Sequence, residues 1–313
     1  MHAPALENEL AREVRAGLTA ADQKTLPCGL LYDDIGSALF EAITLLPEYG
    51  LTRADARIIR AHAGQLAEML PRGAVVAELG SGSGVKTRAI LEALPAPVYF
   101  PIDLSRAALA RCVAELGALA AVEPIEATYL EGLGRAAARC APGQALLALF
   151  LGSTIGNFTF DAAADFLTAV RACLRPGDAL LLGTDLVKPA DRLLPAYDDP
   201  AGVTAAFNLN MLARINRELG GNFNLRSFEH VVRWNRGAQR IEMHLRSRVR
   251  QRVTVRLANM AVAFEPGETI LTEVCHKFRL GQVRRMARAA GFRPAAQWRD
   301  LEWPFAESLL VAE

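Results

Sequence analysis

The sequence predicts an α/β protein: a doubly wound domain on a parallel sheet, carrying a second lobe of mixed helices and strands. Three features predict it. From 74 to 187, short apolar runs are stopped by glycines and followed by helical stretches, the plan of a parallel sheet covered on both faces. From about 188 to 272 that plan is interrupted by segments that alternate like antiparallel strands. Before residue 71 the apolar positions recur at spacings of three and four, as on helices.

Taken in order, "SALFEAITLLPEYG" (37–50) and "RADARIIRAHAGQLAEML" (53–70) read as amphipathic helices. "AVVAELG" (74–80), "PVYFPIDLS" (97–105), "ALLALFLGSTIGNF" (145–158) and "DALLLGTDLV" (178–187) each open with a buried strand. "DAAADFLTAVRACLRPG" (161–177) is the helix between the last two. "PAYDDPAGVTAAFNLNMLARINRELGG" (195–221) is a loop and then a helix. "QRIEMHLRSRV" (239–249) and "ETILTEVCHKF" (268–278) alternate, "LGQVRRMARAAG" (280–291) is a helix stopped by glycine, and 292–313 gives two closing strands. The domain boundaries are therefore 71–188 plus 277–313 for the sheet domain, and 1–70 plus 189–276 for the second lobe. The expected site is the cleft over the carboxyl ends of the strands.

Composition narrows the function classes. The chain has 313 residues, 51% hydrophobic, with 35 basic against 34 acidic side chains. A formal charge of +1 leaves no footprint for nucleic acid or an anionic membrane, which need clustered positive charge. The basic stretch "RSRVRQRVTVR" (246–256) interleaves arginine with Val249, Val253 and Val255, which suits the wet face of a strand. Five scattered cysteines without a CxxC pair argue against a disulfide framework and a cysteine zinc site. The histidines show no metal-ligand spacing, so no metal is expected. The longest apolar run, "ALLALFLG" (145–152), is far short of the roughly 20 residues that span a bilayer. The N-terminal stretch carries acids and lacks an apolar signal core, so a cytoplasmic protein is expected.

The chemistry is carried by "AELGSGSGVKTRAI" (77–90). A phosphate loop needs glycine before the lysine, where this chain has Val85, and the spacing of a dinucleotide fingerprint fails because Gly84 falls one place early. What remains is an acid followed by alternate glycines: Glu78, Gly80, Gly82 and Gly84. This resembles the first motif of S-adenosylmethionine-dependent methyltransferases. Three positions without side chains let backbone approach a small zwitterionic group closely. Asp103, about 20 residues on at the end of the next strand, is at the distance from which an acid reaches a ribose diol. It could equally cap the helix that follows.

Longer stretches carry a closer resemblance. "LPCGLLYDDIGSALFEAITLLPEYGLTRAD" (26–55), "LFLGSTIGNF" (149–158), "AYDDPAGVTAAFNLNMLARINRELGGNF" (196–223) and "TEVCHKF" (272–278) together resemble the L-histidine Nα-methyltransferases of ergothioneine biosynthesis, over nearly the whole chain. The resemblance implies a Rossmann-like class I methyltransferase sheet with a substrate-binding lobe, and three successive methylations of histidine to hercynine. The implied cofactor is S-adenosylmethionine, leaving as S-adenosylhomocysteine.

It also implies roles. Tyr49, Asn157 and Tyr197 would hold the amino and carboxylate groups of the amino acid, with Tyr32 beside the amino group; for the proton that the amine must shed, Tyr32 or a water is the candidate catalytic path. Glu273 would take the imidazole N–H, and Met243 would line the ring pocket. Gly80, Lys86 and Asp103 would serve the cofactor, beside Gly82 and Gly84 of the glycine motif. Two departures stand out. Cys275 occupies a position that is commonly serine, and a thiol is a weak donor. Thr128 and Tyr129 stand where an acid and a phenylalanine meet the adenine.

The residues themselves fit this reading and also plainer ones. Glu273 and Cys275, two apart on an alternating strand, share a face away from Thr272 and Val274. A carboxylate there needs a partner, which an imidazole N–H or a neighbouring arginine supplies. Asn157 could be a turn residue, the tyrosines packing with wet hydroxyls, and Lys86 the start of a helix. The expected partner is a small amino acid, with no nucleic acid or membrane, and the expected state is a monomer.

Overall fold

The computed structural model describes residues 3–313, with side chains from Glu9 onward. The chain divides into two units, 1–50 with 188–275, and 51–187 with 276–313.

The second of these units is the doubly wound one. Its eight-stranded sheet places Val75–Leu79 in the middle, with Val98–Asp103 on one side and Leu146–Phe150 on the other, followed by Ala179–Asp185. These four strands are mutually parallel. All five residues of Val75–Leu79 and of Leu146–Phe150 are buried, as a strand covered on both faces requires. The sheet is mixed: Phe292–Asp300 and Phe305–Ala312 form a hairpin, and the latter lies antiparallel to Ala179–Asp185. A tight hairpin can only join antiparallel neighbours, so the two closing strands fix the mixture.

Chain order reverses at Val75–Leu79, whose neighbours follow in opposite directions along the sheet. At such a switch point the loops beyond the strands' carboxyl ends part, and that is where doubly wound sheets bind ligands. Helix Gly50–Glu68 groups with this sheet unit, whereas the sequence reading placed 51–70 in the other lobe. Its Trp298 partner explains the grouping: the indole donates to Gln65 Oε1 at 2.8 Å, and His62 stacks on the same ring at 5.4 Å.

The first unit is built on a four-stranded sheet ordered Lys24–Thr25, Thr269–His276, Arg240–Ser247, Phe228–Asn235, plus a hairpin of Gln251–Val255 and Met260–Phe264. In that hairpin Val253 and Val255 are buried and Arg252 is exposed, the wet-faced strand the sequence predicts, although Val249 precedes it and is exposed. Helix Val203–Leu219 buries Phe207, Met211, Leu212, Ile215 and Leu219 on one stripe.

The motif "LLYDDIGS" is a helix start. Asp33 accepts from the amide of Gly36 at 2.7 Å, from Asn210 Nδ2 at 2.7 Å and from Arg217 Nη2 at 2.5 Å. A Cβ on Gly36 would lie 1.7 Å from the Leu31 carbonyl oxygen, so only glycine fits. The helix runs Asp34–Leu45 and stops before "LPEYG", which the sequence reading had carried to 50 as helix. Pro47 explains the break, since the residue before a proline is pushed out of the helical region.

Candidate active site

The glycine loop leaves the carboxyl end of Val75–Leu79, at the switch point. The amides of Gly80 and Ser81 both donate to the Ile102 carbonyl, at 2.8 and 3.2 Å, which pins the loop to the neighbouring strand. All three motif glycines have positive φ: 73° at Gly80, 53° at Gly82 and 70° at Gly84. The three differ in what they face. A Cβ at Gly84 would meet Cys112 Sγ at 2.6 Å and Leu116 at 2.7 Å, so that glycine serves helix packing. At Gly80 it would meet the Tyr129 ring at 3.2 Å, and at Gly82 nothing within 4 Å. Open space lies at Gly82, Gly80 faces the Tyr129 ring, and the expectation that all three positions clear a ligand is corrected at Gly84.

Asp103 ends its strand with both carboxylate oxygens on backbone: the amide of Gly82 donates to Oδ2 at 3.1 Å and that of Ser105 to Oδ1 at 2.9 Å. The cap of the next helix is Ser105, whose hydroxyl accepts from Ala108, so the capping alternative for Asp103 falls away. Thr128 precedes helix Tyr129–Arg139 without a side-chain capping bond, and Tyr129 packs edge-on to Phe150 at 5.5 Å. Asn157 closes a short 3₁₀ turn, Thr154–Asn157, beyond the end of the Leu146–Phe150 strand.

Lys86 lies two residues before helix Arg88–Ala93 and points its ammonium at Asp55 Oδ2, 3.0 Å away. Burial pushes this lysine down, but the Asp55 carboxylate, which also accepts its hydrogen bond, more than offsets that and holds it above its ordinary value. Glu78, the acid of the motif, is buried beneath the loop, where it accepts from Thr87 Oγ1 at 2.6 Å and from the Tyr99 hydroxyl. Burial drives its carboxyl up to about 7, against the pull of those two hydroxyls and of Lys86. Its place is structural: it ties the loop to two elements.

In the other unit the tyrosines form one aromatic group. Tyr49 and Tyr197 meet edge-on at 6.0 Å, Phe40 bridges Tyr49 at 6.3 Å and Tyr32 at 5.7 Å, and Tyr32 also meets Phe207 at 5.6 Å. Tyr49 and Tyr197 are buried, whereas Tyr32 is 41% exposed. The Tyr197 hydroxyl donates to Cys275 Sγ at 3.0 Å. Glu273 and Cys275 are both buried on their strand, and Val274 between them is half-buried. Thr272 is buried too, its hydroxyl donating to the Met243 carbonyl at 2.9 Å, so both faces of this strand are covered. Met243 is buried on the adjacent strand.

Sequence reasoning missed the residues that hold these in place. His230 contacts the Tyr197 carbonyl through Nε2 at 2.8 Å and Asn208 Nδ2 through Nδ1 at 2.9 Å. Since the amide nitrogen can only donate, the network assigns the proton to Nε2. Phe40 and Phe207, read as helix apolar positions, and Asp55, the last residue of the "LTRAD" motif, were likewise not singled out. Asp55 carried a signal: an acid at a helix position that otherwise packs inward.

This sheet order, with this loop at the switch point, is that of a class I S-adenosylmethionine-dependent methyltransferase. The chain belongs to the histidine-specific, S-adenosylmethionine-dependent methyltransferase family, whose model matches residues 10–312. It is 45% identical over 309 residues to a histidine N-alpha-methyltransferase of Mycolicibacterium smegmatis, covering 96% of this chain and 94% of that one. To the protein of the same name from Mycobacterium tuberculosis it is 44% identical over 310 residues, with the same coverage. An ergothioneine biosynthesis protein 1 of Neurospora crassa is 37% identical over 223 residues, 69% of this chain and 26% of that one. Among the described residues no helix is long and apolar enough to cross a membrane.

Proposed function

We propose that this protein transfers three methyl groups in succession from S-adenosylmethionine to the α-amino group of L-histidine, giving hercynine for ergothioneine synthesis. The observation that carries the reading is the family match along 10–312, which takes in the segments that bear the tyrosine group, Glu273 and Cys275 as well as the cofactor loop. We place the protein in the cytoplasm, as a monomer acting on a free amino acid.

The loop suits the cofactor: Gly82 offers open space over a left-handed backbone, and Asp103 stands beside it at the strand end. Gly80, Gly82, Lys86, Asp103, Thr128 and Tyr129 would hold it, with Gly84 shaping the loop from behind. When bound, it supplies a methyl group activated on a sulfonium. The protein's own task is to bind and orient. Tyr49, Asn157 and Tyr197 take the amino and carboxylate groups, Glu273 the ring N–H, and Met243 packs on the ring. Positioning of this kind is worth about 7–11 kcal/mol at its upper end. The amine must be neutral to attack, so each of the first two transfers is preceded by loss of a proton, for which half-exposed Tyr32 offers a hydroxyl path to solvent. Gripping ring and carboxylate lets partly methylated intermediates stay bound as amine protons disappear.

A second reading keeps the chemistry and changes the substrate to another amino acid or a histidine derivative. Cys275 favours it, because its sulfur already takes the Tyr197 hydroxyl and donates poorly to a ring. Mass spectrometry of products from histidine and S-adenosylmethionine tests the first reading: a trimethylated product with three equivalents of S-adenosylhomocysteine is expected. Turnover of a related amino acid in preference to histidine would transfer the assignment to the second.

A further inference from the structure

Two carboxyl groups lie buried together in the sheet unit. Asp55, on helix Gly50–Glu68, is fully buried and Glu307, on strand Phe305–Ala312, is 1% exposed. Asp55 Oδ2 accepts twice, from Lys86 Nζ at 3.0 Å and from the Gly152 amide at 3.0 Å. Glu307 pairs across the sheet with Gly183, and a Cβ on that glycine would lie 2.7 Å from Glu307 Oε1 and 3.2 Å from the Gly152 nitrogen. The missing side chain at Gly183 is thus the space into which the Glu307 carboxyl folds, next to the backbone that Asp55 holds.

As two carboxylates these groups do not add up. Asp55 Oδ1 and both oxygens of Glu307 are buried with no donor among the described residues. A single ammonium, Lys86, stands beside this pair, with Glu78, itself pushed up to about 7, a third buried acid near it, and an unpaired buried charge is costly. One proton resolves the arrangement, because a protonated Glu307 can donate to Asp55 while Asp55 keeps its charge for Lys86. The electrostatics agree: burial first, then the Asp55 charge, push the Glu307 carboxyl well above the usual carboxylate range.

We propose that Asp55 and Glu307 are a proton-sharing positioning pair that aims Lys86 at the cofactor and between them carry one, not two, negative charges. Were both ionised, the pair would outweigh the ammonium in charge and weaken its field towards an anionic ligand group. With one proton retained, Asp55 fixes one N–H of Lys86 and leaves its other two to ligand. The Gly152 bond extends the same constraint to the end of the Leu146–Phe150 strand. This inference rests on the assignment of Lys86 to the cofactor.

The test is calorimetric binding of S-adenosylhomocysteine to the full chain and to Lys86→Met, Asp55→Asn, Glu307→Gln and the Lys86→Met/Asp55→Asn double variant. Lys86→Met and Asp55→Asn should each weaken binding about tenfold or more, with the double variant no weaker than Lys86→Met alone. Glu307→Gln keeps a donor in place of the shared proton and should bind within about twofold of wild type. An Asp55→Asn protein that binds normally while Lys86→Met does not, or a Glu307→Gln loss as large as that of Asp55→Asn, overturns the pair. Normal binding by Lys86→Met instead overturns the underlying assignment. If Asp55→Asn does not fold, infrared difference spectra of wild type against Glu307→Gln decide. The protonated-carboxyl stretch must be present in the first and gone from the second, and its absence from wild type refutes the sharing.

Discussion

The Tyr197 hydroxyl gives its proton to the Cys275 sulfur at 3.0 Å, while the carbonyl of the same tyrosine takes the His230 ring N–H at 2.8 Å. Tyr197 is therefore fixed at both ends before any substrate arrives. Replacing the thiol by a hydroxyl should keep the acceptor and add a stronger donor. Cys275→Ser is expected to lower the KM for histidine by about two- to fivefold, roughly the worth of one improved hydrogen bond, with S-adenosylhomocysteine affinity unchanged. A higher KM for histidine and better use of a bulkier amino acid would mean that the thiol selects the substrate.

Glu273 is proposed to meet the imidazole N–H as a buried carboxylate. Glu273→Gln preserves shape but removes the charge, so the KM for histidine should rise by about 30-fold, in line with roughly 2 kcal/mol for a charge-assisted bond. Cofactor affinity by calorimetry should stay within about twofold. Equal losses for both ligands would assign Glu273 to the scaffold.

The motif glycines should separate stability from binding. Gly84→Ala combines left-handed strain with a clash on Cys112 Sγ at 2.6 Å, so it should cost about 3 kcal/mol, read as a lower unfolding midpoint in urea. Gly82→Ala meets nothing within 4 Å and should cost only about 1 kcal/mol in strain, yet it should cut S-adenosylhomocysteine affinity at least tenfold. The reverse pattern would place the ligand on the wrong glycine.

Glu78 makes stability depend on pH. Its folded carboxyl, pushed up to about 7 by burial, keeps a proton that the unfolded chain releases near 4.5. The stability this group contributes is therefore whole below about pH 4.5 and is lost as pH rises through about 7, by about 3 kcal/mol in all. Glu78→Gln retains an acceptor for Thr87 and Tyr99. The melting temperature of this variant minus that of wild type should climb between about pH 5 and about pH 8 and then level. A pH-independent difference would show that Glu78 stays ionised across that range.

Much of this was legible in the chain. The strand–glycine–helix repeat gives the sheet unit, because strands buried on both faces need unbroken apolar runs and their turns need glycine. The long motifs "LLYDDIGS", "TIGNF" and "TEVC" mark the segments proposed to form the site. The direction of the two closing strands was not legible, because strand direction depends on which neighbour a strand finds, and 292–313 carries no local mark of it. Gly84 was misread as clearing a ligand, since positive φ is a local property while the object a missing Cβ makes room for is not.

What the sequence by itself determined was the kind of chemistry and the substrate family, since both depend on residue types at fixed short spacings along loops and strand ends. Only the tertiary structure decided which groups share a proton, a hydroxyl or a void. Asp55 and Glu307 are 252 positions apart, and Gly183, whose lack of a side chain admits the second carboxyl, lies between them in sequence. Burial removes water from all three at once, and it is that loss of solvent, set by packing and by no local motif, that turns two ordinary acids into one charge.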